Sequence, residues 1–140
     1  MSDFSTFDAL MLERFGKDSL IALATESDGL PHVRTIDAIY LDGAFYGITH
    51  ALSGKMQQIA ANPRVAVCGD WFTGHGLGEN LGHVRAPQNQ RIANRLREAF
   101  KAWYSNGHTD ESDPNTCILM IRLTDGIIFS QGKKYDWQDK

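Results

Sequence analysis

The sequence predicts a mainly β domain, an antiparallel β-barrel with flanking helices. Extended runs that are apolar on both faces, such as "SLIALATES" and "TCILMIRL", fit short strands covered on both sides. Asp-Gly pairs at 28–29, 42–43 and 125–126 are two-residue turns that join antiparallel neighbours. The β-α-β rhythm of a parallel sheet is absent. A chain of 140 residues suits a single domain, 1–140, with one core.

Taken in order, "FSTFDALMLERFG" places Phe4, Phe7, Met11 and Phe15 at helical spacing. Gly16 is a natural stop, so a short amphipathic helix is expected over one end of the sheet. "SLIALATESDG", "LPHVRTIDAIYLDG" and "AFYGIT" then read as a three-stranded meander over 19–49. Ser53 can cap a second helix with Met56, Ile59 and Ala60 inward, ended by Asn62-Pro63. "RVAVCGDWF" reads as a fourth strand. "TGHGLGENLGHVRA" reads as a glycine-rich loop, able to act as a lid, leading into a fifth strand. "QRIANRLREAFKAWY" carries Ile92, Leu96, Ala99, Phe100 and Trp103 on one helical stripe. After the polar "NGHTDESDPN", "TCILMIRLTDGIIFS" reads as a hairpin turning at Asp125-Gly126, and the tail is polar apart from Tyr135 and Trp137.

Composition narrows the function. A formal charge of −3 argues against nucleic acid as the partner, because such proteins carry a basic face. Cys68 and Cys117 sit in strand-like apolar runs, so buried free thiols are expected, in keeping with a reducing cytoplasm. "MSDFSTFDALMLERFGKD" has acidic residues and no unbroken apolar core, so no signal peptide is expected. No run approaches the roughly 20 apolar residues that span a bilayer. The expectation is a cytoplasmic protein with no membrane partner. The five histidines are scattered without ligand spacing, so no metal is expected.

One stretch carries chemistry, "FYGITHALSGKMQQIAANPRV" at 45–65. A helix start offers unpaired N–H groups and partial positive charge. Thr49 and Ser53 add hydroxyls, Gly54 leaves the backbone approachable, and Lys55 adds a mobile charge. Arg34 adds a planar fork if its strand lies beside 44–49. Two readings stand at this point. One is a terminal-phosphate site, and the other is a serine cap beside a solvated lysine. Asp37, in the apolar run "IDAIYL", is either an edge-strand carboxylate or a ligand to a bound group. Trp71, Phe72 and Trp103 read as core or interface aromatics.

The chain resembles the pyridoxamine 5′-phosphate oxidase-like family of FMN-binding split barrels, in its small general-stress-protein form. The likeness rests on "GLPHVRTIDAIYLDGAFYGITHALSGKMQQIAANPRVAV", the strand around "LGHVRA" and the helix from Gln90 to Tyr104. It implies FMN bound at a homodimer interface, with Arg34, Ser53 and Lys55 on the phosphate and Gly54 admitting it. It also implies that Thr35, Ile36 and Asp37, with Ile48 and Thr49, border the isoalloxazine. The function implied is a small FMN-dependent oxidoreductase with an unidentified small-molecule redox substrate. Pyridoxamine phosphate itself is not expected, because the tail holds Trp137 but no arginine after Arg122. The alternatives are a non-catalytic flavin carrier or stress sensor, a split barrel using deazaflavin or heme, and a cofactor-free interaction barrel. No residue is assigned as general acid or base.

Overall fold

The computed structural model describes residues 2–139. The order is α1 (Phe4–Phe15), β1 (Ser19–Ser27), β2 (Leu30–Leu41), β3 (Ala44–His50), α2 (Gly54–Ala61), β4 (Arg64–Gly69), β5 (Phe72–His83), α3 (Gln90–Ala99), β6 (Thr116–Ser130) and β7 (Lys133–Gln138). All strand pairs are antiparallel, in the order β3-β2-β1-β4-β5-β6-β7. A further pairing of β3 with β6, from Ala44↔Arg122 to His50↔Thr116, closes the first six strands into a barrel. Closure removes the open edges that the meander would otherwise leave. β7 extends the far half of β6 beyond the barrel.

The Asp-Gly turns at 28–29 and 42–43 form as the sequence predicts. Both residues of each pair have positive φ, 52° and 81° in the first, 50° and 86° in the second. These are the conformations that suit a tight hairpin between twisted strands. Strand alternation then fills the barrel: Ile21 and Leu23 from β1, Val65 and Val67 from β4, and Leu119 and Ile121 from β6 join one buried cluster. α1 adds Phe7, Met11 and Phe15 to it. Phe15 meets Phe45 and Phe72 edge-on at 5.7 and 5.6 Å. Asp3 caps α1 through the Thr6 N–H at 2.8 Å, and the Gly16 N–H closes its other end on the Leu12 carbonyl. A second cluster packs Ala93, Leu96 and Phe100 of the α3 region against Ile39 and Ile118.

Five local expectations are corrected. Residues 73–82 are not a loop but part of the twelve-residue β5. Its glycines are packing residues: a Cβ on Gly74 would lie 2.6 Å from the Asp125 carbonyl oxygen, and one on Gly76 equally close to that of Arg122. The turn before β5 falls earlier, at Asp70-Trp71, with Trp71 at φ 51°. Asp125-Gly126 does not turn, and the fifteen-residue β6 continues through it. There a Cβ on Gly126 would lie 2.6 Å from Phe7. Cys68 is exposed while Cys117 is buried, because Val65 and Val67 take the inward positions of β4. The third helix ends at Ala99 and not at Tyr104.

The tail is likewise ordered. Gln131-Gly132 turns with both φ positive, at 50° and 77°, and β7 brings Trp137 onto α1. The indole stacks on Phe7 at 5.5 Å and lies 5.1 Å from Phe4. Trp137 is therefore an aromatic of the chain's own core.

Candidate functional site

The start of α2 carries the clearest anomaly in the chain. Ser53 is the N-cap residue, yet its hydroxyl makes no capping bond. Its Oγ is buried and has no hydrogen-bond partner. A buried hydroxyl without a partner costs roughly 1–3 kcal/mol, so this position is built for something that supplies one. Beside it, the backbone at Gly54 is open to approach, since a Cβ there would meet nothing within 4 Å.

Two cations converge there. Arg34 is held by the Leu23 carbonyl at 3.1 Å, the Thr25 hydroxyl at 2.9 Å and the Gln58 side-chain oxygen at 3.2 Å. Thr25 also donates to Gln58, which ties β1 to α2 beneath the guanidinium. Lys55 is half-buried. Its pKa lies below the ordinary lysine value, first through burial and then through the charge of Arg34. Burial acts in the same direction on Arg34. Among the described residues neither cation has a carboxylate within salt-bridge distance. Two crowded, unneutralised cations, an idle buried hydroxyl and a helix start together make an anion seat.

Arg34 reaches this seat by a route different from the one expected. β2 pairs with β3 only over Ile39–Leu41, whereas Arg34 lies opposite Leu23 of β1. It therefore meets α2 across the inside of the β1–β2 pair. Thr25 and Gln58, which hold it, escape a reading of sequence. The available signals were a polar residue buried in an apolar strand, and a glutamine three residues after Lys55 on the same helix face.

From Lys55 a cleft of about 230 Å³ runs along Ile36, Asp37, Gly47, Ile48 and Thr49. Gly47 is needed where β2 and β3 approach, because a Cβ there would sit 2.9 Å from the Asp37 carbonyl oxygen. Phe100, Trp103, His108 and Thr109 form the opposite wall. Thr35 is different: it is exposed and lies on the outer face opposite Arg34, as period-2 alternation requires. His50 lies at the end of β3 and pairs with Asp113 at 3.2 Å. The arrangement fits an elongated ligand with an anionic head on Arg34, Ser53 and Lys55 and a flat body in the cleft.

Of the opposite wall, Trp103, His108 and Thr109 belong to the segment 101–115, which is latched to α3. Glu111 accepts from Arg97 at 2.8 and 2.9 Å and from the Tyr104 hydroxyl. Those bonds, Arg97's foremost, hold the Glu111 carboxyl down at about 2, against an ordinary value of 4.5. A depressed carboxyl pKa stabilises the fold fully above the unfolded value and loses that stability as pH falls through the folded one. Glu111→Gln should therefore cost about 1 kcal/mol at pH 7. Thermal melts should show that gap closing as the pH falls from 4.5 towards about 2. A gap that stays constant across this window would remove the latch.

The profile of the family described as pyridoxamine 5′-phosphate oxidase matches residues 7–128. Among solved structures, general stress protein 26 of Bacillus anthracis strain Sterne is 17% identical with a TM-score of 0.68, over 94% of this chain and 98% of that one. An FAD-binding protein of Mesorhizobium loti is 18% identical with a TM-score of 0.66, over 84% and 91%. A heme binding protein of Mycobacterium smegmatis is 13% identical with a TM-score of 0.67, over 99% of this chain and 59% of that one. These likenesses are likenesses of fold. No curated protein matches the sequence.

Proposed function

The chain belongs to the pyridoxamine 5′-phosphate oxidase family, and from that premise we propose that it binds FMN as a small cytoplasmic flavin-dependent oxidoreductase. The observation that carries this reading is the buried Ser53 hydroxyl, left without a partner beside two unneutralised cations. A terminal phosphate supplies the missing acceptor and the missing charge in one group. Arg34, Ser53, Gly54 and Lys55 would hold it. Ile36, Asp37, Ile48 and Thr49 would border the ring, and Thr35 would contribute through backbone alone.

Bound flavin supplies the hydride and electron transfer. The chain's own residues do the rest: Thr25 and Gln58 fix the Arg34 fork, and Phe100 and Trp103 keep one wall apolar. The segment 133–138 is committed to β7 and to α1 through Trp137. It supplies no lining to the cleft, which argues against pyridoxamine phosphate as the substrate. The substrate is instead an unidentified small molecule.

A homodimer belongs to the same proposal. Leu20 and Val33, 66% and 70% exposed, flank Ala22 and Ala24 on the outer face of β1 and β2. That face adjoins the cleft at Asp37, so a second copy seated there would complete the site. Among the described residues no helix is long and apolar enough to cross a membrane.

The test is a visible absorption spectrum of purified protein, taken before and after FMN is added and free ligand is removed, with light scattering on the same sample. Retained flavin bands on a dimer are expected, followed by bleaching with NADH or NADPH. A deazaflavin or heme spectrum would overturn FMN. Flavin that no reductant bleaches productively would leave a carrier or sensor.

A further inference from the structure

A second hollow, of about 350 Å³, lies at the other end of α3 from the cleft, and its size suits a small molecule. The β2–β3 hairpin supplies Leu41 and Asp42, β3 supplies Tyr46, and α3 supplies Arg91, Ile92 and Arg95. It shares no lining residue with the cleft. Asn89, the residue before α3, also lines it and is only 4% exposed. Asn89 stands at the cap position but makes no capping bond. Its amide N–H groups donate instead to the Leu81 carbonyl at 3.0 Å and the His83 carbonyl at 2.9 Å. Those bonds fix the amide and leave Oδ1 an acceptor with no donor among the described residues. That oxygen is not sealed in protein, because Ser53 Oγ is the one such buried, unpartnered atom among the described residues. The hollow is where a donor would reach it.

The charges here are incomplete too. Arg97 of α3 is matched by Glu111, and Lys101 just beyond it by Glu98. Arg91 and Arg95, one turn apart on the same helix face, have no carboxylate within salt-bridge distance among the described residues. Asp42 is the single carboxylate of the lining, so two arginines against one aspartate leave one positive charge. Tyr46 is half-buried. Burial foremost, and then Asp42, raise its pKa against the opposing pull of Arg91, so its hydroxyl stays a donor. Between these polar groups lie Leu41, Leu81 and Ile92, all half-buried.

We propose that this hollow is a second ligand site, for a small organic monocarboxylate with an apolar body and a hydrogen-bond donor. The carboxylate takes the Arg91 and Arg95 forks, whose planar geometry it matches, and its one charge balances that of the lining. The body lies on Leu41, Leu81 and Ile92, and the donor completes Asn89 Oδ1. Neither Arg34 nor Lys55 lines the hollow, so the site stands apart from the phosphate seat and does not rest on the flavin reading.

The experiment is a nitrogen–proton NMR titration of the full chain, without FMN, using 4-hydroxyphenylacetate up to about 10 mM. Shifts are expected to gather at Tyr46, the Asn89 side-chain amide, Arg91 and Arg95. The uncharged 4-hydroxyphenylacetamide should bind about 10-fold more weakly, and phenylacetate, which lacks the donor, about 2- to 10-fold more weakly. Arg91→Ala combined with Arg95→Ala should remove saturation within the same range. Alanine at these exposed helical positions leaves the fold intact, which circular dichroism of the variant checks. No shifts from either acid, an equal response to the amide, or a double variant that still saturates would overturn the proposal. Shifts gathered instead at Arg34 and Lys55 would also overturn it, by placing the acid in the phosphate seat.

Discussion

Replacing Arg34 and Lys55 together by alanine should abolish the proposed retention of FMN on a barrel that remains folded. Each cation would give the phosphate charge-assisted hydrogen bonds worth about 1.5–3 kcal/mol. Losing both should weaken binding about 10²- to 10⁴-fold. The fold should tolerate the change because neither cation leaves a carboxylate stranded. Lys55 is crowded by Arg34 without a counter-charge, so Lys55→Ala alone should leave the melting temperature of the ligand-free protein unchanged or slightly raised. Arg34→Lys should not rescue binding, because an ammonium lacks the planar fork that Thr25 and Gln58 orient. Isothermal titration with FMN, paired with circular dichroism of each variant, separates lost ligand from lost fold. A double variant that binds as tightly as wild type would show that the seat is not built for phosphate.

The second large effect is in the core. Phe7 is fully buried, with its ring 6.5 Å from Phe72 and stacked on Trp137. Phe7→Ala should cost about 3–5 kcal/mol, lowering Tm by roughly 10–20 °C in a domain of this size. Gly126 exists to admit that ring, since a Cβ there would lie 2.6 Å from Phe7 and 3.0 Å from Phe72. Gly126→Ala should therefore cost about 1–3 kcal/mol in the wild type and clearly less in a Phe7→Leu background. A cycle of the four proteins by chemical denaturation measures the coupling. Equal costs in both backgrounds would mean that Gly126 serves its own backbone and not Phe7.

That same glycine shows where sequence signals stop. Asp28-Gly29, Asp42-Gly43 and Asp125-Gly126 are the same dipeptide, but only the first two turn. At the third, glycine is demanded by a ring arriving from α1, and Asp125 of β6 pairs with His75 of β5 at 3.0 Å. A local pattern contains no trace of either neighbour. The run 73–82 misleads in the same way. Its glycines resemble loop residues, but they let β5 lie close against β6 and against Ile59 of α2. The barrel itself was legible because apolar runs and real hairpins are local.

The site divides along the same line. Ser53, Gly54 and Lys55 were legible because a helix start is a local signal with a known electrostatic sense. Arg34 was named from the sequence on a strand pairing that β2 and β3 make only at Ile39–Leu41, and again by resemblance, whereas its support from Thr25 and Gln58 depends on α2 packing over β1. The outward placement of Thr35 follows from Arg34 pointing inward, a period-2 consequence available in the sequence. Trp103 reaches the cleft by stacking on Phe100, and Glu111 ties the segment that carries His108 to α3; both are contacts distant from any local pattern.

The central claim is that a phosphate completes the seat formed by Arg34, Ser53 and Lys55. The measurement that tests it most directly compares FMN with riboflavin, which has the same ring and lacks the phosphate, by titration against the wild-type protein at one ionic strength. The account predicts that FMN binds about 10²- to 10⁴-fold more tightly, and that the gap narrows as added salt screens the phosphate's attraction to the two cations. Equal affinities would contradict it, and would return Lys55 to a charge on a helix surface.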